Sequence, residues 1–170
     1  MTTESRRLAG NPDESVLKVR RSILINATPE RVWAELSTFE RMDRWWGAKI
    51  GTPEAGKPQG QWLIAYEPCV GGSIEMAVDM DGTRAHYGGT IEVFAPDREL
   101  TFNNDWKPNQ GWKQPTYLTV RLKPALEGTL VELFHYGFEQ TGGEVDAEHA
   151  GYEEGWGMLQ LKALKAAAES

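Results

Sequence analysis

The side chains best able to do chemistry in this chain are three histidines, His86, His135 and His149, and one cysteine, Cys69. A metal site asks for ligands at set spacings, such as a histidine pair at i and i+4 on a helix or paired cysteines. None of the histidines forms such a pair and Cys69 joins none of them, so the spacing points to no metal and to no cofactor. His135 shares strand parity with Val131 and Leu133, which turns it inward, towards the segment that bears His149. Those two suit hydrogen bonds to a polar ligand group, acid–base work, or plain structural bonding, the blandest of the three. Cys69 follows Pro68 in a loop or strand edge, without the base and oxyanion site that a nucleophile needs, and is read as an inert thiol. No catalytic residue is assigned.

The seven tryptophans ask for a second account. "RMDRWWGA", residues 41–48, sets Trp45 beside Trp46, although neighbours on a helix point about 100° apart. Fully burying one indole removes about 150–250 Å² from water, so packing alone is reason enough for either. In "ELTFNNDW", Asn104 and Trp106 share the parity of Leu100 and Phe102, which places an amide and an indole on the concave face of a curved sheet. Tyr87, Tyr152 and Trp156 extend the same wall. As a set, these polar-tipped aromatics exceed what a dry core prefers.

The elements that position these residues follow from periodicity. Residues 1–15 are polar and aperiodic and read as a disordered leader, and residues 16–170 as one domain. Ile23–Ile25 mark a first strand that runs to Asn26. Thr28 then caps a helix with Pro29 at its first position, and a second short helix covers Phe39–Trp45 and stops at Gly47. From Gly60 to Phe138 the period becomes two, in six strands joined by short turns, an antiparallel meander. Ile74, Met76, Val78 and Met80 alternate with Glu75, Ala77 and Asp79, so one face is buried and the other wet. The paired glycines of "GGSIE" (71–75) and "GGTIE" (88–92) let neighbouring strands bend. Residues 146–168 read as one long helix, about 30 Å at about 1.5 Å per residue. Its stripe is Val145, His149, Tyr152, Trp156, Leu159 and Ala163. Gly151, Gly155 and Gly157 interrupt it at a cost of about 2–3 kcal/mol relative to alanine, which close packing or room for another molecule must offset. The fold class is therefore α+β: a curved antiparallel sheet wrapped around a long C-terminal helix, with two short helices after strand 1, a helix-grip arrangement.

Composition excludes other classes. Eighteen basic against twenty-five acidic residues give −7, which disfavours nucleic acid. No run approaches membrane-spanning length and no signal peptide opens the chain, so membrane partners are not expected. With the lone Cys69, this fits a cytoplasmic protein.

One stretch carries a family resemblance. "VRRSILINATPERVWAELSTFERMDRWWGA" resembles the opening of the SRPBCC, or START-like, superfamily, in the branch related to the activator of heat-shock protein 90 ATPase. The matching positions are Ala27, Pro29, Arg31, Val32 and Trp33, then Arg44, Trp45, Trp46 and Gly47. "GGTIEVFAPDRELTF", "GTLVELFHYGF" and "HAGYEEGWGMLQLKAL" extend the resemblance over about residues 16–168, while residues 48–70 are longer than the usual link. It implies a deep apolar cavity between sheet and C-terminal helix, with one of Trp45 and Trp46 in the core and the other at the cavity mouth. The candidate ligand contacts are then Trp46, Met76, Tyr87, Asn104, Trp106, His135, His149, Tyr152 and Trp156. The function expected is binding of a small hydrophobic or aromatic molecule, more a carrier than an enzyme. Two alternatives stand beside it: a co-chaperone-like interaction module, with a homodimer or protein partner, and a cyclase or hydratase using the same cavity.

Overall fold

The computed structural model describes residues 11–46, 60–80 and 83–170. Strand β1 (Lys18–Ile25) leads into helices α1 (Pro29–Ala34) and α2 (Phe39–Trp46). Six strands follow: β2 (Gly60–Tyr66), β3 (Ser73–Met80), β4 (Thr83–Ala95), β5 (Glu99–Lys107), β6 (Thr116–Ala125) and β7 (Gly128–Tyr136). Helices α3 (Val145–Gly155) and α4 (Leu159–Glu169) end the chain. All strands join one antiparallel sheet in the order β1-β7-β6-β5-β4-β3-β2. This is the α+β helix-grip arrangement: β2 to β7 form the meander, and β1 closes onto its far side.

Local chemistry explains the elements. The Thr28 hydroxyl accepts from the Arg31 N–H at 3.2 Å and Pro29 opens α1, as the sequence signal requires. Ile74, Met76 and Val78 are buried on the inner face of β3, and Ala77 is buried on the other, so that face is drier than strict alternation implies. Gly88 sits at φ +138°, where a Cβ would run into the Ile74 carbonyl, so β3 and β4 touch backbone to backbone where the sheet bends. Gly47 and residues 48–59 lie outside the described residues.

Trp45 and Trp46 are both completely buried, which corrects the expected division between core and cavity mouth. Two differently aimed rings can both disappear because α2 is covered on two sides. Trp45 donates its indole N–H to the Glu35 carbonyl at 2.9 Å, under the end of α1. Trp46 points the other way and meets Phe102 and Trp156 edge-on, at 6.0 and 6.3 Å between ring centres. Arg31, Arg41 and Arg44 all donate to the buried Glu35 carboxylate, which ties α1 to α2. Burial alone would raise that carboxyl, but hydrogen bonds from Arg31 and Arg44 outweigh it and hold it below its ordinary range.

Two further corrections concern the ends. Residues 11–15 do not belong to a disordered leader: Pro12–Glu14 form a 3₁₀ turn with Pro12 buried, and Asp13 pairs with Arg121 at 3.0 Å. The long C-terminal helix is two helices. Trp156, between Gly155 and Gly157, takes extended backbone (φ −74°, ψ 113°) and breaks the run. The break relieves the glycine cost at Gly155 and Gly157 but not at Gly151, which stays within α3, and close packing offsets none of it, since a Cβ at 151, 155 or 157 would meet nothing within 4 Å. The break also shifts the buried stripe. Helix α4 packs on α2 and β1 and buries Gln160, Leu161, Leu164 and Ala168, while Leu159 is 38% exposed.

Candidate functional site

A cavity of about 600 Å³ opens between the concave sheet and the α3–α4 break. The sheet supplies one side chain per strand or nearly so: Gln61, Val78, Tyr87, Asn104, Trp106, Leu118 and His135. The helical side supplies Ala147, Glu148, Gly151, Tyr152 and then Gly155 to Gln160, apart from Met158.

His135 sits at the junction of sheet and break, and its bonds define its state. Trp156 donates its indole N–H to His135 Nδ1 at 3.0 Å, so Nδ1 is the bare nitrogen. The proton therefore lies on Nε2, which donates to Thr116 Oγ1 at 2.8 Å. Thr116 in turn donates to the Asn104 carbonyl at 3.1 Å. Every link in this relay has one donor and one acceptor. Burial pushes the imidazole pKa down to about 3, because a charged ring would be stranded away from water. His135 is thus a neutral strut, and as arranged it has no free nitrogen for acid–base work.

A second closed set lies at the opposite wall. Trp46 donates to the Tyr87 hydroxyl at 3.1 Å, Tyr87 donates to Gln61 Oε1 at 2.7 Å, and Gln61 Nε2 donates to the Trp46 carbonyl at 2.8 Å. Burial raises the Tyr87 hydroxyl's pKa, so it keeps its proton. Across the mouth, Trp106 on β5 donates to the Tyr152 hydroxyl on α3 at 3.0 Å. Arg21 on β1 holds the end of α3 by donating to the Glu153 and Trp156 carbonyls at 2.7 and 3.1 Å. Those carbonyls are the ones a helix C-terminus leaves without partners, and the guanidinium also suits the negative end of the helix dipole.

Against these satisfied networks one group stands out. Asn104 is 3% exposed, lines the cavity, and its Oδ1 has no hydrogen-bond partner among the described residues. Leaving a buried amide oxygen unpaired costs about 1–3 kcal/mol.

Of the residues singled out from sequence, Tyr87, Asn104, Trp106, His135, Tyr152 and Trp156 line one cavity. Trp46 stands behind Tyr87, and Met76 is wholly buried in the core. His149 packs on Phe138 and donates from Nε2 to the Lys18 carbonyl at 3.0 Å, so it is a structural histidine away from the cavity. Sequence reasoning passed over Gln61, Val78, Leu118, Glu148 and Gln160. Val78 was within reach by parity with Ile74, and Leu118 by its register opposite His135. Gln61 and Gln160 carry no such signal, since one follows an irregular segment and the other follows the break. Cys69 is exposed, and no cluster of three or more metal-ligating side chains occurs among the described residues. No helix of the described residues is long and apolar enough to cross a membrane.

The family model described as "Activator of Hsp90 ATPase homolog 1-like protein" matches residues 26–169. The chain belongs to this family. No curated protein matches it. Solved structures share its fold. A protein from Arthrobacter aurescens superposes with a TM-score of 0.66 at 20% identity, over 94% of this chain and 88% of its own. One from Chromobacterium violaceum gives 0.64 at 17% identity, over 90% and 98%. The Aha1 dimer from Colwellia psychrerythraea gives 0.58 at 20% identity, over 91% and 97%. Identities this low speak for the fold alone. Within the Hsp90-activator-like family, then, this chain carries a START-like helix-grip fold with its cavity under the broken helix.

Proposed function

We propose that this member of the Hsp90-activator-like family binds a small hydrophobic or aromatic molecule in the cavity between the sheet and α3. The observation that carries the reading is the buried Asn104 Oδ1, left without a donor inside a cavity of about 600 Å³ lined mainly by aromatic and aliphatic side chains. Cavities of this size, apolar with a few fixed polar groups, suit small-molecule ligands.

The test is saturable binding of the uncharged dye Nile red, with mass spectrometry of the natively purified protein for a retained molecule. Gly151→Phe adds a ring at a cavity-lining position of α3 where a Cβ meets nothing within 4 Å, so it should abolish dye binding and leave the fold intact. Dye binding unchanged by Gly151→Phe would place the site elsewhere. The family assignment supports a second reading, a co-chaperone-like module working through its surface, as does the Colwellia relative, whose name reports a dimer. In that case Gly151→Phe leaves partner stimulation untouched, and light scattering reads whether this chain also pairs.

A further inference from the structure

Taking the cavity reading as its basis, we infer that the occupant is a flat aromatic molecule bearing an amine or other N–H donor, neutral or cationic, and not a carboxylate. Three independent features of the wall ask for the same partner. The unpaired Asn104 Oδ1 is a buried acceptor that a ligand donor would satisfy. Tyr87, Trp106, Tyr152 and Trp156 bring aromatic rings to the wall, and ring faces are negative and attract N–H groups and cations. The one side chain of the described lining that is charged at neutral pH is Glu148; its Oε2 accepts from Thr141 Oγ1 at 3.4 Å, and no cation pairs with it among the described residues.

The same wall offers an anion no counter-ion. The lining of the described residues holds no lysine or arginine, and buried His135 stays neutral. The indole N–H groups that could have bonded a carboxylate are already committed: Trp46 to Tyr87, Trp106 to Tyr152 and Trp156 to His135. A carboxylate entering here would meet Glu148 with a like charge and no counter-ion. An amine finds Glu148, ring faces and the Asn104 oxygen.

Three probes share one bicycle and differ in charge: tryptamine (+1), 3-methylindole (0) and indole-3-acetate (−1). Isothermal titration calorimetry at pH 7.5 should rank them in that order, with tryptamine about tenfold tighter than indole-3-acetate. Glu148→Gln should narrow the gap between tryptamine and 3-methylindole to within about twofold without changing Nile red affinity. This variant is safe for folding, because α3 buries no side chain. Asn104→Leu should weaken all three indoles, each of which carries a ring N–H donor, about fivefold and spare Nile red, which has none. Equal or tighter binding of indole-3-acetate overturns the inference, as does a charge preference that Glu148→Gln leaves intact. Nile red bound while all three indoles fail also overturns it and leaves the cavity reading standing. Failure of Nile red and all three indoles removes both.

Discussion

Helices α3 and α4 are each eleven residues long and follow one another in the chain, yet they are held by different forces. Helix α4 presses Leu161, Leu164 and Ala168 into the core and is held by the hydrophobic effect. Helix α3 buries no residue. It is held by polar ties to the sheet (Arg21 on its terminal carbonyls, Tyr152 to Trp106, and Trp156 just beyond it to His135) and by the rings of His149 and Tyr152 against Phe138. One half of the segment closes the core, and the other roofs a cavity. A roof held by directional bonds and a few ring contacts, with no residue fully buried, leaves space beneath it and can be loosened without unfolding the rest.

The most damaging way to probe this contrast is Leu164→Ala, which removes a completely buried side chain from α4. It should cost about 2–5 kcal/mol, read as a fall in the urea midpoint. Glu154→Ala, on an exposed position of α3, should stay within about 0.5 kcal/mol. Equal effects would erase the distinction between the halves.

The next effect comes from the strut under the break. His135 has a pKa near 6.5 when unfolded and about 3 when folded. Between those values the unfolded chain binds a proton that the folded chain refuses, so stability falls as pH drops from 6.5 towards 3. By pH 5 the loss relative to pH 7 is about 2 kcal/mol. Glu35 and Glu132, whose carboxyls lie below their ordinary 4.5, add their own losses only at lower pH. His135→Gln, which can still donate and accept, should therefore flatten the decline between pH 7 and 5. An unchanged slope would mean that His135 carries its proton in the folded state.

The strands and the two short helices were legible because alternation and caps are local signals. Thr28-Pro29 marks the start of α1, and the "SIEMAVDM" run marks β3 residue for residue. His135, Asn104 and Trp106 reached the cavity wall by parity alone, since period two leaves no third direction. What failed were questions that parity does not answer. Whether a residue facing inward meets core or cavity depends on what lies opposite, so Met76 sank into packing while Val78 met open space. The helix break was written in Gly155 and Gly157, but glycine states a cost without stating how it is relieved. His149 was misplaced because it shares a helical stripe with Tyr152, and helical spacing does not show that Phe138 and the Lys18 carbonyl lie beside its ring.

Arg21→Met sharpens the comparison at lower amplitude. Methionine keeps the apolar stem and removes the guanidinium that bonds the carbonyls ending α3. The expected cost is about 1 kcal/mol, the range for a helix-terminal cap. Its signature is spatial: amide exchange should quicken through residues 145–156 and stay unchanged in Leu161–Ala168. Quickening in both segments would show one cooperative unit instead of two.

The smallest expected effect has the opposite sign. Gly151 lies within α3, has no positive φ, and a Cβ added there meets nothing within 4 Å. Alanine at this position thus gains helix propensity and reduces the entropy of the unfolded chain without a clash, worth about 0.4–1 kcal/mol. For a domain of this size that raises the melting midpoint by about 1–4 °C. Had the glycine been kept for close approach of helix to sheet, the same methyl would destabilise the protein, so the sign of the shift decides between packing and open space. The residue also lines the cavity, where one methyl takes little of about 600 Å³. Nile red affinity should therefore change far less with alanine than with phenylalanine at this position. A lowered melting midpoint would place α3 against the sheet and leave no room for the roofed cavity.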